Sequence, residues 1–143
     1  SPSGGDGDSD EPSSGSHSPD GIVAAAKSKL GKPYRRGEEG PNAFDCSGLV
    51  YYCLKTCGVK ASRYNAISFS RVDSWTKISD MDDLQKGDLL FFKSDSSSSV
   101  NHTGIYIGGG KFIHASSSAG KVITSNISTS YWVRNFVNGR RVF

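Results

Sequence analysis

The stretch Phe44-Asp45-Cys46-Ser47-Gly48-Leu49-Val50 constrains this chain more than any other. Asp45 is a good helix N-cap, and the run that follows, through Tyr51, Tyr52, Cys53 and Leu54, reads as a mostly buried helix. Gly58 is placed to end it in a left-handed turn. Cys46 therefore falls in the first turn, where unpaired backbone N–H groups and the helix dipole favour an anion. A free thiol has a pKa of about 8.5, and in such places it drops to roughly 3.5–7.5. The thiolate is the nucleophile, and the same amides can polarise a substrate carbonyl. Cysteine is also a common buried residue, so this stretch alone leaves packing and catalysis equally open.

The chain has 143 residues, enough for one domain with a sizeable core. Residues 1–20 are rich in Ser, Gly, Pro and Asp, with five acids (Asp6, Asp8, Asp10, Glu11, Asp20) and no Lys or Arg. That composition cannot bury enough surface to order itself, so residues 1–20 read as a linker and residues 21–143 as the folded domain. A linker here implies an upstream module, and His17 within it is incidental. With no initiator Met and no signal-peptide pattern, the sequence reads as a processed product or an excised piece. The domain keeps all 17 basic residues and nine of the 14 acids, a balance of +8. This favours polyanionic surroundings, whether nucleic acid, an anionic membrane surface or an anionic wall polymer, and charge alone does not choose among them, although no recognised nucleic-acid motif is present. No apolar run approaches the ~18 residues of a membrane span.

Three cysteines cannot all pair. Cys53 and Cys57, at i and i+4, could be half a metal site, but no second CxxC or HxxxH accompanies them, so both are read as core packing.

Ser18 caps an expected helix from Pro19 to Leu30, and a second helical region is expected over residues 61–77 around Phe69, Val72 and Trp75. Asp80 to Leu84 reads as a turn, and Leu89 to Phe92 as a buried strand. Val100 to Ile107 and Lys111 to Ala115 flank three glycines and read as a β-hairpin. Further strands are expected around Val122 to Thr124, Tyr131 to Phe136 and Arg140 to Phe143. Helices first and strands after argue for an α+β domain with an antiparallel sheet.

His102 and His114 lie on the two arms of the hairpin, and register decides whether they meet. A three-residue loop, Gly108 to Gly110, would pair Ile107 with Lys111 and set His114 opposite Gly104. His102, two positions along, would share that face, with Gly104 leaving the space between open. The diagonal separation of roughly 7–8 Å is within reach of long side chains. A two-residue turn would put the histidines on opposite faces. A cysteine at a helix start, a histidine to exchange its proton and a second polar group to orient that histidine suit nucleophilic catalysis. Cys46 would attack a carbonyl, His102 would act as base and then acid, and His114 would fix the tautomer of His102. A zinc site made of the same three residues competes, but without a CxxC or HExxH partner no metal or cofactor is expected.

The chain resembles the NlpC-type papain-like cell-wall peptidases of bacteria across residues 21–143. The likeness rests on Gly31-Lys32-Pro33-Tyr34, the Phe44 to Val50 stretch, Leu84-Gln85-Lys86-Gly87-Asp88-Leu89-Leu90-Phe91-Phe92, His102-Thr103-Gly104-Ile105-Tyr106-Ile107-Gly108 and Lys111-Phe112-Ile113-His114-Ala115. It implies a papain-like α+β fold, with N-terminal helices packed on the sheet. Cys46 would be nucleophile, His102 general base and His114 the third polar residue. Tyr34 would help stabilise the oxyanion, while Asp45 and Ser47 would seat a peptidoglycan stem peptide, the carboxylate receiving a free α-amine. The implied reaction cleaves the D-γ-glutamyl–diamino acid amide through a cysteine thioester. A secreted or cell-wall-associated bacterial monomer, joined to an upstream module, is expected. Asn101-His102-Thr103 is formally a glycosylation sequon, but a glycan there would block the base, which fits a bacterial source. Two departures touch the family pattern: Arg36 stands where an aromatic is usual two residues after the tyrosine, and Lys86 replaces a proline. A catalytically silent wall-binding module and an acyltransferase on the same scaffold are the competing expectations.

Overall fold

The structure, a computed structural model, describes residues 18–143. Most of the expected linker, with His17, lies outside the described residues. The first helix, α1 (Pro19–Lys27), begins where the sequence suggested: Ser18 Oγ accepts from the Gly21 N–H at 3.1 Å. It ends a turn earlier than expected. Ser28 Oγ donates to the Ala25 carbonyl at 2.7 Å, and the backbone tightens so that Lys29 and Leu30 bond three residues back.

The second helix, α2 (Cys46–Thr56), is capped at both ends by its own sequence. Asp45 accepts from the Gly48 N–H at 2.6 Å. At the other end Gly58 takes a φ of 82°, its N–H bonds Lys55 O, and the Val59 N–H reaches back to Leu54 O. The expected helix over residues 61–77 shrinks to one turn, α3 (Ala66–Phe69), followed by β1 (Thr76–Ile78). The intervening chain folds over Arg140 instead. That guanidinium donates to the carbonyls of Ser70 and Trp75, giving them the partners a continued helix would have supplied.

The remaining strands are β2 (Leu89–Phe92), β3 (His102–Gly108), β4 (Lys111–Ser116), β5 (Lys121–Asn126) and β6 (Phe136–Arg141). They form one antiparallel sheet in the order β1-β6-β2-β3-β4-β5. Alternation along them makes two cores. Leu89, Phe91, Ile105, Ile113 and Ala115 pack with α1 and α2 on one face, while Leu90, Phe92 and Phe112 face the other way with Trp132. Residues 131–136, expected as a strand, are instead mostly α4 (Ser130–Asn135). A strand would point Trp132 and Arg134 to one side. The helical turn sends Trp132 against Phe92 and Phe112, at ring separations of 4.8 and 5.1 Å, while Arg134 forks onto Asp95.

The hairpin reaches the expected pairing by a different route. Gly108, not Ile107, pairs with Lys111 across a two-residue turn at residues 109–110. Ile107 is an extra residue, a bulge, so that Tyr106 still faces Phe112 and Ile105 faces Ile113. The bulge cancels the slip that a two-residue turn would have caused, and both histidines stay on one face.

Candidate active site

The N-terminus of α2 is held by a clamp of polar contacts. Asp45 Oδ1 accepts from Gly48 N, from Arg63 Nη2 at 3.0 Å and from Ser47 Oγ at 3.3 Å, while Oδ2 accepts from Gly37 N at 2.9 Å. Arg63 also donates to Ser47 Oγ and pairs with Glu39, each within 3.1 Å. This draws the loop around residues 37–39 across the first turn, so closely that a side chain at Gly48 would collide with the Glu38 carbonyl.

Cys46 opens the helix, only partly buried, with its sulfur against the start of β3. The Asn101 carbonyl lies 4.0 Å from Sγ, and the backbone N–H groups of Thr103, Ser47 and Cys46 itself bear on the sulfur. The lowered thiol pKa expected of a helix start is not what the surroundings produce. Burial pushes it up, the Asp45 carboxylate adds to the rise, and the three amides offset only part of it. Here desolvation outweighs the helix dipole.

His102 and His114 meet: His102 Nε2 and His114 Nδ1 are 2.8 Å apart, and His114 Nε2 lies 2.8 Å from Ser125 Oγ. The nitrogen of His102 left over is Nδ1, the one nearer its own backbone. That backbone segment, residues 101–103, is the one Cys46 abuts. Aromatic rings hold the imidazoles in place. Trp132 stacks on His102 at 5.6 Å and Phe112 on His114 at 4.5 Å. Gly104 between the histidines is not open space. A Cβ there would come within 2.9 Å of Phe112 and 3.1 Å of His114, so its absence is what lets the rings pack. Burial lowers the pKa of His102 to about 4; burial and the neighbouring His102 lower that of His114 to about 3. At neutral pH both rings are therefore uncharged.

The sequence profile of the NlpC/P60 family matches residues 31–141. The chain belongs to the NlpC/P60 family. Among its relatives is the murein DD-endopeptidase MepH of Escherichia coli K12, 36% identical over 115 residues that cover 80% of this chain and 42% of the relative. Another is the gamma-DL-glutamyl hydrolase of Bacillus subtilis 168, 34% identical, covering 85% of this chain and 29% of that protein. The chain thus spans less than half the length of these curated relatives. Among solved structures, NlpC1 from Trichomonas vaginalis superposes with a TM-score of 0.78 at 29% identity, covering 86% of this chain and 43% of that one. The papain-like fold expected from the sequence is the fold of this NlpC/P60 domain.

The other sequence-expected residues fall around this centre with altered emphasis. Tyr34 is tied into it by a bridge to Phe44; burial, then the charges of Cys46 and Asp45, raise its hydroxyl pKa. Ser47 is 5% exposed and faces Asp45 and Arg63. Asp45 is spent largely on capping, leaving only its Oδ2 edge lightly used. Sequence reasoning missed Arg63, Ser125 and Trp132. Arg63 falls in the region expected to be helical, where nothing marks its reach to Asp45, and Trp132 in a segment expected to be a strand. Ser125 follows from the β4–β5 register, in which Phe112 faces Ser125 and His114 faces Ile123. Beside the histidines opens a cleft of about 620 Å³, walled by Lys93, Ser94, Asn101, the serines at 116–118, Tyr131 and Trp132. Among the described residues no cluster of three or more His, Cys, Asp or Glu side chains is placed to hold a metal ion. No described helix is long and apolar enough to cross a membrane.

Proposed function

We propose that this NlpC/P60 domain is a cysteine endopeptidase that cleaves peptidoglycan stem peptides at the D-γ-glutamyl–diamino acid amide. The observation that carries the reading is the hydrogen-bonded His102–His114 pair, which leaves His102 Nδ1 unused beside Asn101, the residue whose carbonyl lies 4.0 Å from Cys46 Sγ.

Thiol and imidazole rest neutral, each held there by burial. As Sγ attacks the γ-carbonyl carbon, His102 Nδ1 takes the thiol proton and the carbonyl π electrons move to oxygen. Backbone N–H groups at the start of α2, with the Tyr34 hydroxyl, face that developing oxyanion. Collapse expels the amine, which receives its proton from His102, and leaves the thioester. Water activated by the same nitrogen then releases the acid and restores the thiol. Because His102 protonates the leaving amine, the diamino acid half belongs on the histidine side, where the serine-lined cleft opens. The acyl half belongs towards Tyr34 and Asp45, whose Oδ2 edge can receive a free α-amine.

A secreted or wall-associated bacterial setting fits the substrate, as does the basic balance of residues 21–143. Mass spectrometry of muropeptides before and after incubation is the test. New fragments ending in D-glutamate, absent with Cys46→Ala, are expected. Intact muropeptides, together with slow thiol labelling that ignores His102, would favour a silent wall-binding module instead.

A further inference from the structure

Both ring nitrogens of His114 are engaged, and this fixes more than the contact between the histidines. Nδ1 meets His102 Nε2 and Nε2 meets Ser125 Oγ, each at 2.8 Å. When His102 takes the proton of Cys46 it becomes an imidazolium, which is a donor at both nitrogens. Its Nε2–H points at His114 Nδ1, so that atom must accept. A neutral His114 accepting on Nδ1 carries its own hydrogen on Nε2, and that hydrogen in turn needs an acceptor. The group within reach is the Ser125 hydroxyl, half-exposed on β5, where its own hydrogen can turn to water. In the reversed chain Ser125 would donate to His114, His114 to His102, and His102 would carry its hydrogen on Nδ1. In that form it cannot take one from Cys46.

We propose that Ser125 is a positioning residue, accepting from His114 Nε2–H and so holding both rings in the Nε2–H tautomer that leaves His102 Nδ1 free as base. This rests on the Cys46–His102 reading above. It gives this chain a four-member line, Cys46–His102–His114–Ser125, in which a neutral hydroxyl terminates the relay. No charge is needed at its end, because His114 stays neutral throughout, accepting at Nδ1 and donating at Nε2.

Ser125→Thr and Ser125→Val have nearly the same shape and differ in the hydroxyl. In the full 143-residue chain, Ser125→Val should lower kcat on a stem peptide about 3- to 10-fold with KM unchanged, the loss expected for one neutral hydrogen bond, and Ser125→Thr should restore it. The sequence holds three histidines, so nitrogen NMR of the rings can be assigned one by one. The parent should show Nε2–H for His102 and His114, and Ser125→Val should bring up the Nδ1–H form of His114. A role in packing alone would move neither tautomer. Equal kcat in Ser125→Val and Ser125→Thr, or a parent spectrum with Nδ1–H on His114, overturns the proposal. The parent spectrum decides even if a variant fails to fold. Parent-level activity in Cys46→Ala would instead sink the nucleophile assignment, while the parent spectrum still judges Ser125.

Discussion

Cys46 and Cys57 stand at opposite ends of α2, one as its first residue and one as its C-cap, and their surroundings differ in kind. Burial raises both thiols, so desolvation does not separate them. Around Cys46 three backbone N–H groups, those of Thr103, Ser47 and Cys46 itself, stabilise a thiolate, against the single N–H of its own that Cys57 has. Cys57 is fully buried and aims its S–H at the carbonyls of Cys53 and Leu54, 3.0 and 3.6 Å away. Burial lifts the Cys57 thiol to about 11, and its own backbone N–H offsets only part of that rise. Cys53, one turn earlier, is pushed up further by burial and by Cys57. The lesson is that burial sets both thiols high and the neighbouring donors set how much is given back: the N-terminal end of a helix leaves N–H groups, to which β3 adds that of Thr103, while the C-terminal end leaves carbonyls.

The sharpest way to break this contrast is to remove each sulfur in turn. Cys46→Ala should lower wall hydrolysis by about 10⁴-fold or more while the unfolding midpoint stays near that of the parent, since the residue is only partly buried. Release of stem fragments at the parent rate would end the contrast. Next in size, His102→Gln should lose about 10²- to 10⁴-fold, as expected for a general acid–base. His114→Gln should retain measurable turnover, because an amide can still orient its neighbour. Steady-state rates and iodoacetamide labelling on folded variants test this; equal losses at the two positions would merge the roles assigned to them.

Acid stability probes the same site from another side. His102 and His114 titrate near 4 and 3 in the fold against an ordinary 6.5, so the folded state binds fewer protons than the unfolded chain. Their contribution is fully present above about pH 6.5 and is lost as pH falls towards 4 and then 3. Thermal unfolding followed from pH 7 to pH 4 should show Tm falling, and the His102→Gln/His114→Gln double variant should flatten that fall. A slope unchanged by the double variant would mean that other groups govern acid unfolding. Smallest of all, Cys53→Ala and Cys57→Ala should each cost roughly 1–2 kcal/mol of stability in denaturant titrations and leave kcat at the parent value. Lost activity at full stability would give these buried thiols a role the packing does not predict.

The sequence was most legible where local chemistry decides structure. Asp45, Gly58 and Ser18 announce helix ends whose caps are made by those residues or their immediate neighbours. The unbroken apolar run Leu89 to Phe92 announces a strand buried on both faces, and the period of two along the hairpin arms announces which side chains meet. It was least legible where a distant residue supplies the bond. Arg140 satisfies the carbonyls of Ser70 and Trp75, about 65–70 positions away, and nothing near residue 70 signals that the helix need not continue. Arg63 reaches Asp45 in the same manner, and burial of the Cys46 sulfur, which reverses its expected pKa shift, comes from contacts absent from the local sequence.

The bulge at Ile107 has a consequence for how this domain can vary. Nine residues separate Gly104 from its opposite number His114, an odd count that a two-residue turn cannot bridge unaided. Because Ile107 absorbs the odd residue, the two-residue tip leaves the histidine register, about 20 Å down the strand, in phase. Deleting Ile107 would cost its packing on the helical face but leave Tyr106 opposite Phe112 and the histidines in phase. The hairpin behaves as an expansion joint for register alone: the histidines stay in phase, while the Gly110 carbonyl, which accepts from the Ile127 N–H at 2.8 Å, still ties the tip to the second core.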